Sequence, residues 1–117
     1  MDFLSRLFGP SVPTVSAAEV SEKLKNGKRL LVVDVRQPEE YRGGHIAGAK
    51  LIPLGELGQR LKELPKEREI ICVCHTGSRS VPATRQLVAA GYTAINMKGG
   101  MLAWEWAKLP VKKGGAA

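Results

Sequence analysis

A chain of 117 residues that is 44% hydrophobic is long enough for one domain with its own core and too short for two. Its 18 basic and 11 acidic residues give a net charge of +7, which first suggests nucleic acid as a partner. The basic residues are scattered from Arg6 to Lys113 without a long run, so we expect a solvated basic surface that attracts small anions, and no stable nucleic acid binding. No apolar run approaches the ~20 residues that cross a membrane. There is no long apolar secretory core either, so a cytoplasmic protein is expected.

Residues 1–12 stand apart from the rest. Phe3, Leu4, Leu7 and Phe8 would share one face of a short helix that stops before Gly9-Pro10. Such a segment suits either a peripheral membrane or partner contact, or a lid or loose end on the domain. Two helical turns bind lipid weakly on their own, which favours the lid or loose end. Residues 13–111 are expected to form the domain and 112–117 a disordered tail.

Ser16 and Glu19 have the spacing of a capping box, and Val15 and Val20 that of a hydrophobic staple, so a helix starts here. Val20 and Leu24 give it a buried face and Gly27 ends it. Leu30 to Val35 reads as a buried strand, with Asp34 and Arg36 at its C-terminal end, where open parallel sheets place their sites. Pro38 opens a short helix, Glu39 and Glu40 occupy its first turn, and Gly43-Gly44 closes it. A turn containing His45 leads to a short strand at Lys50 to Ile52. Leu54, Leu57, Leu61 and Leu64 then predict an amphipathic helix that stops before Pro65.

The next stretch organises the rest. Ile70 to Val73 is a short apolar run, suited to a strand buried on both faces. Cys74 stands where that run stops. His75, Thr76, Gly77, Ser78, Arg79 and Ser80 follow, and a helix is predicted from Val81 to Ala90, closed by Gly91. A thiol at a strand end, on a small-residue loop that feeds a helix N-terminus, sits in an anion cradle. Such a cysteine is expected to act as a nucleophile rather than as a core thiol. Cys72, between Ile71 and Val73, is expected in the core, unbridged to Cys74 because disulfide geometry is strained at that spacing. Thr93 to Met97 is the last strand. Gly99-Gly100 leads into a final helix whose Trp104 and Trp106 are both expected to pack in the core. Alternating strands and helices mean an α/β domain in three layers, with a mainly parallel central sheet and helices on both faces.

No cofactor is expected. Cys72, Cys74 and His75 lie too close along the chain to supply three tetrahedral metal ligands. No Gly-x-Ser-x-Gly elbow or phosphate-binding Gly-Lys-Ser/Thr ending is present. Cysteine phosphatases place five residues between cysteine and arginine, whereas four separate Cys74 from Arg79. The shorter ring suits a single sulfur better than a phosphate.

The loop from Cys74 to Ser80 resembles the active-site loop of the rhodanese (thiosulfate sulfurtransferase) family. Three further stretches match in order: Asp34-Val35-Arg36 with Pro38-Glu39-Glu40-Tyr41, Gly44 to Ala49, and Gly99 to Trp104. The resemblance implies ping-pong sulfur transfer. Cys74 thiolate would take the outer sulfur of an anionic donor, thiosulfate or a persulfide, and hold it as a persulfide among the amides of His75 to Ser80. Cyanide, a thiol or a sulfur-relay protein would then accept it. It also implies that Arg79 neutralises the donor and braces the loop, that Asp34 and Arg36 form a supporting ion pair, and that His45 is structural. Many rhodaneses carry arginine directly after the nucleophile. His75 stands there in this chain, which lowers the expected preference for thiosulfate relative to a persulfide. The alternative from another class is a rhodanese-like sulfur-carrier or partner-binding module without significant thiosulfate turnover.

Overall fold

The apolar run at Ile70 must be covered on both sides, and in a computed structural model of the chain it is the central strand of a sheet with a core on each face. The structure describes residues 11–27 and 29–115; the expectation for Phe3, Leu4, Leu7 and Phe8 falls outside them. Five strands are described: β1 (Thr14–Val15), β2 (Leu30–Asp34), β3 (Lys50–Leu51), β4 (Glu69–Val73) and β5 (Ala94–Met97). They lie in the order β1-β5-β4-β2-β3, and every pairing is parallel. The helices α1 (Ala17–Lys25), α2 (Pro38–Gly43) and α3 (Ser80–Ala89) and a 3-10 helix at Leu54–Glu63 connect them, and α4 (Gly100–Trp106) follows β5.

Alternation along β4 divides the core. Ile71 and Val73 join Val20 of α1, Tyr41 of α2 and Trp104 of α4 on one face. Ile70 and Cys72 join Leu57 of the 3-10 helix and Ala83 and Leu87 of α3 on the other. The expected three layers follow. No helix among the described residues is long and apolar enough to cross a membrane.

The expected cap at Ser16 forms, and a second one forms at Gln37. The Glu19 amide donates to Ser16 Oγ at 3.1 Å, and the Gln37 amide donates to Glu40 Oε1 at 3.0 Å. Two expectations need correction. The leucine-rich helix is 3-10 over its whole assigned length, not α. Gly55 and Gly58 lower its α propensity, and the three-residue spacings Leu54/Leu57 and Leu61/Leu64 match a three-residue turn. Trp104 is buried, its Nε1–H donating to Pro110 O at 2.8 Å, but Trp106 is 90% exposed. Two residues along a helix is more than half a turn, so both could not face one core. Among the described residues after Val111, Lys112 and His45 exchange backbone hydrogen bonds of 2.8 and 2.9 Å, and the Gly114 amide donates to Arg42 O. An edge of the turn at His45 offers these bonds, which composition alone does not reveal.

β2 and β4 run level from Leu30↔Glu69 to Asp34↔Val73. That register places Asp34, Arg36 and Cys74 at one C-terminal edge of the sheet, with the loop into α3 above it.

Candidate active site

Cys74 follows the last residue of β4 and is fully buried. Its sulfur is not in an apolar setting. The Gly77 amide donates to Sγ at 3.0 Å and the Ser80 amide at 3.3 Å. Ser80 opens α3, so its amide is one of the helix's unpaired first-turn donors. Gly77 turns its own amide inward at φ +104, a conformation that favours glycine. The thiol hydrogen can go to Ser80 Oγ at 3.3 Å, while that hydroxyl donates to Asn96 Oδ1 at 2.6 Å. Two fixed N–H donors thus converge on one sulfur.

The loop stands on α4. The Met101 amide donates to Cys74 O at 2.8 Å and the Leu102 amide to His75 O at 3.0 Å. This close approach needs Gly100, whose φ is +58 and whose absent Cβ would overlap Cys74 O. His75, Thr76 and Ser78 are exposed around the rim; Thr76 Oγ1 lies 3.4 Å from Ser78 Oγ.

Two ion pairs flank the sulfur. The carboxylate of Asp34 accepts from Arg36 Nε at 2.9 Å and Nη2 at 2.7 Å, and Arg36 Nη2 also donates to Gly44 O at 2.8 Å. Both side chains are buried, so this pair ties the end of β2 to the end of α2. Arg79 does not stand free on the loop. Its guanidinium makes two parallel bonds to Glu40, Nη1 to Oε1 at 2.7 Å and Nη2 to Oε2 at 2.9 Å. The guanidinium thereby ties the loop to α2, and its charge is met by the Glu40 carboxylate.

Arg79's hydrogen bonds, followed by that of the Gln37 amide, hold the Glu40 carboxyl well below its usual 4.5, at about 2, against the opposing effect of burial. A depressed carboxyl contributes stability that is fully present above pH 4.5 and is lost as pH falls through about 2. Glu40→Gln should therefore flatten the acid-unfolding curve within that window, measured by circular dichroism. Solvent screening limits the effect to about 1 kcal/mol. Superimposable acid curves would mean that the pair adds nothing to stability.

Cys72 shares the strand but not the chemistry. Burial pushes its thiol up to about 11; Thr84 opposes and Cys74 reinforces the shift. The two cysteines are free. His45 is also buried, stacked on Tyr41 with ring centroids 3.7 Å apart, and its Nδ1 donates to Tyr41 O at 2.8 Å. Its polar atoms serve the turn.

Three residues escaped the sequence reading. Asn96 holds the Ser80 hydroxyl, and a polar side chain inside the apolar β5 run was its signal. Glu40 was read only as a first-turn acid, and nothing local announces its pairing with Arg79. Gly100 was read as a helix lead, without its contact with the Cys74 carbonyl.

The family model described as "Rhodanese-like domain" matches residues 16–107. A protein named "Sulfurtransferase" from Allochromatium vinosum is 33% identical over 101 residues, 86% of this chain and 94% of its own length. Among solved structures, a rhodanese-related protein from Thermoplasma volcanium superposes with a TM-score of 0.81 at 31% identity, over 86% of this chain and 97% of that one. "Thiosulfate sulfurtransferase from Pseudomonas aeruginosa" gives a TM-score of 0.83 at 27% identity, over 90% of this chain and 21% of that one.

Proposed function

The chain belongs to the rhodanese-like domain family, and from that premise we propose that it is a sulfurtransferase carrying a sulfane sulfur as a persulfide on Cys74. The observation that supports this most is the pair of amides, Gly77 and Ser80, aimed at Cys74 Sγ. The thiolate attacks the outer sulfur of a donor, a new S–S bond forms, and the remainder of the donor leaves with the electron pair of the old bond. A nucleophilic acceptor then takes the outer sulfur and returns Cys74 to the thiolate. Amides fixed at the sulfur stabilise the anion at both ends of the cycle without reorganising.

The donor's charge is met less well than its sulfur. Arg79 is paired with Glu40 and Arg36 with Asp34, so a dianion at the rim finds no uncommitted guanidinium between them. Thiosulfate is accordingly proposed as a usable donor, and a persulfide as the better one.

Phosphoryl transfer fits less well. A phosphate needs donors spread around three equatorial oxygens, whereas here two amides converge on the sulfur itself. Incubation with thiosulfate is expected to raise the intact mass by one sulfur atom, and cyanide should remove it as thiocyanate. No hydrolysis of p-nitrophenyl phosphate above a Cys74→Ser control is expected. Cys74-dependent phosphatase activity without any mass gain would overturn the proposal.

A further inference from the structure

The surface around the loop has a composition that small sulfur donors do not require. Leu102, Glu105 and Trp106 occupy positions i, i+3 and i+4 of α4 and therefore share one outward face. Leu102 is 50% exposed and Trp106 90%. Together with Thr76, Gly99 and Ala103 they line a shallow, mainly apolar cleft of about 620 Å³. The helix is bonded to the loop through Cys74 O and His75 O, so this cleft is continuous with the rim around Cys74.

A second cleft, of about 380 Å³, adjoins the same loop and is polar. Arg36, Glu39, Glu40, His75 and Glu105 contribute to its lining. With their partners Asp34 and Arg79, these side chains bring four carboxylates against two guanidiniums. The lining of this cleft is thus acidic in balance on a chain whose net charge is +7. The inversion matters for binding: such a rim repels dianions and attracts cations. Glu105 lies between Leu102 and Trp106 on α4, so one helix face joins the apolar cleft to the acidic one.

An occupant that uses both clefts must straddle the loop. It needs an apolar group for Leu102 and Trp106, a basic group for Glu39 and Glu105, and a thiol between them. Cyanide and free thiosulfate have neither flank. A tryptophan this exposed, next to a reactive loop, has the character of an interface anchor.

We infer that the sulfur acceptor is a polypeptide cysteine with an apolar residue on one side and a lysine or arginine on the other, seated across Leu102, Trp106 and the Glu39/Glu105 rim. The inference rests on the sulfurtransferase reading above. The acceptor thiolate attacks the outer sulfur of the Cys74 persulfide. The bond between the two enzyme-bound sulfurs breaks as the acceptor persulfide forms. The electron pair returns to Cys74 Sγ, where the Gly77 and Ser80 amides receive it. The acceptor's thiol proton passes to solvent, and no external oxidant or reductant is needed.

The test is single-turnover discharge of the full chain, loaded with sulfur from thiosulfate, freed of donor and checked by intact mass. The acceptors are synthetic peptides of equal length in which one cysteine is flanked by leucine and arginine, by leucine and glutamate, or by glycine and arginine. The leucine/arginine peptide should discharge the Cys74 persulfide about tenfold faster than either of the others. Trp106→Ala should remove the advantage of leucine over glycine. Glu39→Lys combined with Glu105→Lys should reverse the arginine/glutamate preference, and raised salt should weaken that preference in the wild type. Equal rates for all three peptides, or preferences unmoved by these substitutions, would overturn the inference and leave the sulfurtransferase reading standing. Failure to load sulfur from thiosulfate and from a persulfide donor alike would overturn both, and the mass measurement separates the two cases.

Discussion

Replacing Cys74 with serine should abolish sulfur loading altogether, while Cys72→Ser should leave it intact. The two thiols lie two residues apart on one strand end, and both are fully buried. Their surroundings decide between them. Cys74 Sγ receives two amide hydrogens, whereas Cys72 sits among Val33, Leu57 and Ala83 with its thiol pushed up to about 11. At neutral pH such a thiol is ionised in roughly one molecule in ten thousand, and only the thiolate attacks sulfur. Serine can keep the hydrogen bonds from Gly77 and Ser80, so the Cys74→Ser protein should still fold. Loss of loading is then a loss of the nucleophile. Intact mass after thiosulfate treatment reads the result directly. Loading that survived Cys74→Ser and vanished in Cys72→Ser would reverse the assignment.

What the sequence made legible was local. A β-branched run, a small-residue loop and a helix start occur within a dozen residues of Cys74, so periodicity and turn chemistry suffice to place a thiol at a strand end. Asp34 and Arg36 could be set at the same sheet edge for the same reason. What remained hidden is contact between distant segments. Arg79 and Glu40 are 39 positions apart, and Ser80 and Asn96 are 16 apart. No spacing rule links such residues until the sheet order is known. The leucine spacings of three and four were compatible with both helix types, and only the three-residue pairs and the internal glycines hinted at 3-10. Trp106 shows the converse limit. Its residue type pointed inward, but its angular position relative to Trp104 pointed outward, and the geometry prevailed.

Gly100→Ala should damage both stability and sulfur transfer, although Gly100 touches no substrate. A methyl group there would overlap Cys74 O and lie 2.6 Å from His75 O. Those atoms are backbone, held by the Met101 and Leu102 amides, so neither can yield without releasing a bond that seats the loop. The left-handed backbone at φ +58 adds about 1–2 kcal/mol for any residue with a Cβ. Two weakened hydrogen bonds add about 1 kcal/mol each, and the total is therefore about 3–4 kcal/mol. Denaturant unfolding would measure it. Gly55→Ala is the matched control, because its Cβ would meet nothing within 4 Å and its φ is not positive; it should be close to neutral. Transfer should suffer as well as stability. Relief of the overlap must move Cys74 O and with it the sulfur, away from amides that act at 3.0 and 3.3 Å. A displacement of about 1 Å in a preorganised site costs on the order of a hundredfold in rate. A Gly100→Ala protein with the unfolding midpoint and loading rate of the wild type would mean that the loop does not depend on α4 for its position, and that the cradle around Cys74 is set by α3 alone.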